Sequence, residues 1–214
     1  MRRALAFSFI AGAGLMLAGC GASTVSLAGG AREYVATDYP AVLDRWTRTE
    51  SLFLFDELTR ALTVTATFES WDFRWAYVIR YAQDYRLTVP QRQALLQQRL
   101  DATHDVHEFY VALYGAEDAQ NDLTRADGAW IVRLIDSTGG ELAPTAIEAV
   151  RRPGVLETRY YPYSNVWRRA FRLRFPAKNG EGRPTIPADA EWFGLRFAGP
   201  WGNTDLVWDL AGRR

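Results

Sequence analysis

From Glu108 onward the chain breaks into short stretches of alternating apolar and polar residues, most of them closed by glycine or proline, and this pattern restricts the fold more than any other feature. Period-two alternation puts one face of each stretch toward a core and the other toward water, as in antiparallel sheets. Glu108–Tyr114 and Ala129–Asp136 read as strands, the second followed by a turn at Ser137-Thr138-Gly139-Gly140. Ala146–Arg151, Glu157–Tyr161, Arg169–Phe175, Trp192–Ala198 and Thr204–Leu210 extend the series. In Arg169–Phe175, Phe171, Leu173 and Phe175 share one face and Arg172 and Arg174 the other, so one sheet is expected to have a wet face. Several short punctuated strands predict a mainly β fold, an immunoglobulin-like β-sandwich in outline.

The first half of the chain adds helices. Ala61–Phe68 is rich in β-branched residues and reads as a strand. The next segment, 71–85, carries two periodicities. Phe73, Trp75, Tyr77, Ile79 and Tyr81 alternate as in a strand, whereas Phe73, Tyr77, Tyr81 and Tyr85 recur every four residues as in a helix. Ser70 as N-cap, Asp72 in the first turn, and Ala76, Ala82 and Gln83 favour the helix. Thr88 and Pro90 then open an amphipathic helix from Gln91. Together, 71–103 are expected to form an antiparallel helical hairpin on a sheet, an α+β arrangement.

The N-terminus carries an address. Arg2 and Arg3 precede an apolar stretch, Ala4–Ala18, that is shorter than the ~20 residues needed to span a bilayer but suits a signal peptide. It ends in Leu17-Ala18-Gly19-Cys20, which resembles the lipobox of bacterial lipoproteins. That resemblance implies a diacylglyceryl group on the Cys20 thiol, cleavage before Cys20, and permanent attachment to a membrane through three acyl chains. Gly21 follows the cysteine where aspartate in many Gram-negative bacteria retains lipoproteins in the inner membrane, so the outer membrane is favoured. The expected organisation is a signal peptide over 1–19, a small and polar flexible tether over 20–38, and one domain over 39–214.

Charge and rare residues narrow the function. The 214 residues hold 25 basic and 25 acidic side chains. Loss of 1–19 removes only Arg2 and Arg3, leaving a formal charge of −2, so no nucleic-acid or anionic-membrane surface is expected. A single cysteine excludes a disulfide framework and any multi-cysteine metal centre.

Further short strings resemble a set of uncharacterised bacterial envelope lipoproteins. They are Trp46-Thr47-Arg48, Ala66-Thr67-Phe68, Ser70-Trp71-Asp72-Phe73, Ala76-Tyr77-Val78, the 108–114 strand, Asn121-Asp122-Leu123, the 130–134 strand, Tyr161-Pro162-Tyr163 and Arg174-Phe175-Pro176. The resemblance spans about 45–176. It implies a lipid-anchored envelope domain and carries no catalytic residue with it.

Candidate sites are few. His104, His107 and Glu108 would share one face of a continued helix and suit a divalent metal, whereas a strand would separate them. The acidic run Glu117–Asp122 lacks the glycine that an EF-hand loop begun at Asp118 needs at its sixth position, where Leu123 stands. No G-x-S-x-G, H-E-x-x-H or S-x-x-K motif is present, so no catalytic residue and no cofactor are expected. Eight tryptophans and ten tyrosines are many for this length. Arg159–Trp167 concentrates Tyr160, Tyr161, Tyr163 and Trp167. Aromatic residues in a sandwich are mostly core, but if extended, that segment cannot turn all three tyrosines inward, which offers a binding face for a protein or a sugar as the other reading. The expectation is a non-enzymatic envelope component that binds a protein partner or has a structural role. A carbohydrate-binding module for cell-wall or capsule glycan is the alternative, and a hydrolase with an unrecognised site a distant one.

Overall fold

The computed structural model describes residues 24–54, 59–115 and 121–211. Strands β1 (Thr47–Leu54), β2 (Thr59–Phe68), β3 (Val106–Gly115), β6 (Ala146–Val150) and β7 (Arg169–Pro176) form one sheet in the order β1-β2-β3-β7-β6. A second sheet, β5-β4-β8-β9, contains β4 (Ile131–Asp136), β5 (Glu141–Leu142), β8 (Trp192–Gly199) and β9 (Gly202–Asp209). Every named pairing within them is antiparallel. Helices α1 (Tyr39–Trp46), α2 (Trp71–Asp84), α3 (Val89–Asp101) and α4 (Val155–Tyr160) complete the fold. The fold is thus mainly β with helices added.

The sheets meet through the faces the alternation predicts to be apolar. In register, Ala66, Val111 and Phe171 lie across from one another, as do Phe68, Phe109 and Leu173, all buried. Phe68 packs edge-on to Phe193 of the other sheet at 5.1 Å, and Phe109 meets Trp208 at 5.6 Å. The opposite face of the five-stranded sheet is polar and covered only in part: Thr63, Thr65, Thr67 and Tyr110 are buried, whereas Thr49, Ser51, Glu148 and Arg174 reach water. Thr47–Thr67, Thr49–Thr65 and Ser51–Thr63 form a ladder of cross-strand hydroxyl bonds of 2.7–3.1 Å. Beside it Tyr110 is stacked under Tyr161 at 4.0 Å. Arg172, expected in water, lies over the Tyr110 ring and pairs with Glu69 at 3.0 Å.

The ambiguous segment is a helix, and its capping shows why. The Ser70 hydroxyl accepts from Phe73 N at 3.0 Å, and the four-residue spacing lays Phe73 and Tyr77 against Tyr39. After the turn at 85–88, the Thr88 hydroxyl and the Gln91 side chain cap α3 reciprocally. Arg74 then ties the helices to the sheet. Its guanidinium donates to the carbonyls of Glu69 and Arg99 and to Glu108 of β3 at 2.9 Å.

Two expectations need correction. Residues 157–161 are not a strand: α4 occupies 155–160 because the Glu157 carboxylate accepts from Gly154 N at 2.9 Å and Thr158 N reaches the Gly154 carbonyl, which starts a helical turn. Nor do 24–38 hang free as a tether. Val25 is buried and exchanges backbone bonds with Asp209 and Ala211. Arg32 Nε and the Tyr34 hydroxyl both donate to Asp72, at 2.9 and 2.6 Å, and Ala36 is buried. The small polar composition of this stretch indicates flexibility only while these distant partners are unknown. Cys20 and the signal segment lie outside the described residues.

Candidate binding groove

The antiparallel register of β6 and β7 brings two arginine pairs to one end of the sheet. Val150 stands opposite Ala170, so Arg151-Arg152, leaving β6, and Arg168-Arg169, entering β7, are neighbours in space. They line an open cavity of about 570 Å³ together with Trp167 and Asp122. Trp167 is 78% exposed and Val166 88%. The Asn165 side chain accepts from Trp167 N at 3.0 Å and its carbonyl from Arg168 N, an Asx-type turn that holds the indole outward.

The four guanidinium groups are not equivalent. Arg169 pairs with Asp122 at 3.0 Å. The Asp122 carboxyl is held below the usual carboxylate range, chiefly by the Thr124 hydroxyl at 2.6 Å and then by Arg169. Arg168 reaches no carboxylate among the described residues and donates to the Thr65 hydroxyl at 2.8 Å, and its burial lowers its proton affinity. Arg151 and Arg152 are exposed and have no ion-pair partner among the described residues. Among the described residues, three cations therefore face a cavity whose one carboxylate, Asp122, is already paired with Arg169.

The aromatic run divides here. Trp167 borders the cavity, but Tyr160 and Tyr161 are 2% and 4% exposed and Tyr163 is half-buried. The binding-face reading rested on an extended backbone; the helical turn of α4 directs Tyr160 and Tyr161 inward together, as the core reading has it. The Tyr160 hydroxyl donates to Asp84, and burial followed by that bond pushes its ionisation well up. Tyr161 donates to Glu69 at 2.6 Å and Tyr163 bonds Thr67 at 2.7 Å. With Tyr39, Phe73 and Tyr77 these rings build a second core layer rather than a binding face.

The histidine cluster also separates. His104 is exposed on a 3-10 turn beside Trp71, and β3 sends His107 to the inner face and Glu108 to the outer one, onto Arg74. No group of metal-ligating side chains is gathered among the described residues. In the acidic loop, Glu117 and Asp118 lie outside the described residues, while Asp122 and Asp127 are paired with arginines.

His107 lies at a second cavity, of about 870 Å³, bordered by Val25, Leu27, Ile186 and Leu210. Its Nε2 is buried with no hydrogen-bond partner among the described residues, and burial lowers its pKa from 6.5 to about 4. Because the unfolded imidazole takes a proton first, stability should fall as pH drops from about 6.5 to about 4 and gain nothing from this group above that window. In His107→Phe that part of the pH dependence should vanish, read as the urea midpoint against pH. An unchanged profile would place His107 outside it.

The arginine pairs were the signal that a sequence reading passes over: each flanks a predicted strand, but only the pairing of those strands makes them one site. Against known proteins, no family model, no curated protein and no solved structure matches the chain.

Proposed function

We propose that this chain is a non-enzymatic binding component of the bacterial cell envelope, anchored by lipid on Cys20 in the outer membrane, and presenting the arginine-lined groove to a protein partner. The domain would follow an immunoglobulin-like outline, supported by two antiparallel sheets whose connections β3–β4, β5–β6 and β7–β8 pass from one sheet to the other. The observation that carries the binding role is Trp167, a large indole held in water beside Arg151 and Arg152, which have no ion-pair partner among the described residues. Tryptophan and arginine are the residues that most often anchor protein interfaces. Among the described residues no helix is long and apolar enough to cross a membrane, and the anchor proposed here rests on Leu17-Ala18-Gly19-Cys20.

Cells fed a clickable palmitate analogue should label the wild-type chain and leave Cys20→Ala unlabelled and released from membranes. In-cell crosslinking of the lipidated chain should recover one stoichiometric protein, and much less of it with Trp167→Ala. Labelling of Cys20→Ala would remove the anchor; recovery of no protein partner would remove the binding role.

A further inference from the structure

The end of the five-stranded sheet next to the groove is open. Natural sheets protect their edges, because unpaired backbone N–H and C=O groups invite another strand. Three of the four edges here are protected. β1 and β9 lie side by side, with Arg48 Nε donating to the Val207 carbonyl at 2.8 Å and Trp208 Nε1 to that of Trp46 at 3.0 Å. β5 is only two residues long. β6 differs: its five residues pair with β7 without a register shift, and no hydrogen bond reaches its backbone from the outer side among the described residues. It contains no proline, and its single charge, Glu148, is engaged by Arg174.

This edge leads directly into the groove, since Ala149 and Val150 of β6 line the cavity with Arg151 and Arg152. We propose that β6 receives an extended acidic segment of a protein partner as a sixth strand, which seats its carboxylates on Arg151, Arg152 and Arg168 and an apolar side chain on Trp167. The inference deepens the binding role proposed above and rests on it. Main-chain bonds along β6 would supply affinity, and the side-chain contacts at its end would select the ligand. Charge complementarity favours this class: Arg151, Arg152 and Arg168 line the cavity with no carboxylate partner among the described residues. A basic or neutral segment would leave those guanidinium groups unmet.

The test uses the full chain in detergent and a short fluorescein-labelled peptide of alternating glutamate and valine, followed by anisotropy. The peptide should bind, and its lysine-for-glutamate counterpart should not. Arg151→Glu with Arg152→Glu should weaken binding by about tenfold or more, as should N-methylation of alternate peptide bonds, which removes the donors a strand needs. The double variant changes two exposed side chains, and its urea midpoint should match that of the wild type. Equal binding of methylated and unmethylated peptides would overturn strand addition. Failure of the peptide to bind, or binding only of polygalacturonate, would overturn the proposal, the latter in favour of an acidic glycan. If in-cell crosslinking recovers a partner undiminished by the double variant, the binding role stands and this inference falls.

Discussion

Glu69→Ala is expected to destabilise the domain by about 3–5 kcal/mol, because it removes one member of a buried charge network and leaves its partners uncompensated. The Glu69 side chain is 3% exposed. It accepts from the Tyr161 hydroxyl at 2.6 Å and from Arg172 at 3.0 Å, and lies 3.7 Å from Arg74. Burial alone would push its carboxyl up, but Arg74, Arg172 and the Tyr161 bond outweigh burial and hold it below its ordinary value of 4.5. The unfolded carboxyl is therefore protonated first as the medium is acidified. The stability supplied by Glu69 should be complete above about pH 4.5 and lost as pH falls through the lower folded-state value. Glu69→Gln keeps an acceptor for Tyr161 and loses the charge, so it should be damaging but flatter with pH. Urea denaturation from pH 3 to pH 7, roughly the window in which carboxylates titrate, measures both. A Glu69→Ala midpoint equal to that of the wild type would show that the network contributes nothing.

Trp208→Ala should cost a similar amount, about 3–5 kcal/mol, by opening a cavity between the sheets. The indole is fully buried, stacks on Phe193 at 5.5 Å, meets Phe109 across the interface at 5.6 Å and lies under the Arg48 guanidinium. Its Nε1 donates to the Trp46 carbonyl, where α1 hands over to β1. Trp208→Phe should retain much of the packing and lose that bond, so it should lie between wild type and alanine. A phenylalanine variant as unstable as the alanine one would make the hydrogen bond, rather than the volume, the main contribution.

The two variants probe layers that differ in how legible they are. The inner layer, represented by Trp208, follows from alternation: Phe171, Leu173 and Phe175 announce their common face whatever their partners are. The outer layer, represented by Glu69, does not. Tyr110, Tyr161, Arg172 and Glu69 read separately as surface-compatible residues, and they become a core only when α2 and α4 cover the sheet. The same masking hides β1. Its residues Thr47, Thr49 and Ser51 face the hydroxyls of β2, and their polarity carries no sign that they are laddered. The strand expected at 157–161 failed for a local reason, since Glu157 three residues after Gly154 is a helix-start signal that outweighs the neighbouring aromatics.

What the sequence determined by itself depends on contacts within a few residues. The Ser70 and Thr88 caps and the period-two faces of β3, β4 and β7 are all of that kind. The tertiary structure alone decided what joins positions far apart in the chain. It set the docking of Arg32 and Tyr34 on Asp72, the burial of Tyr160 and Tyr161, and the meeting of Arg151-Arg152 with Arg168-Arg169. The physical reason is that backbone periodicity and capping are short-range, whereas burial and charge pairing are properties of the assembled layers. A residue's neighbours in space are fixed only once strand order and register are fixed.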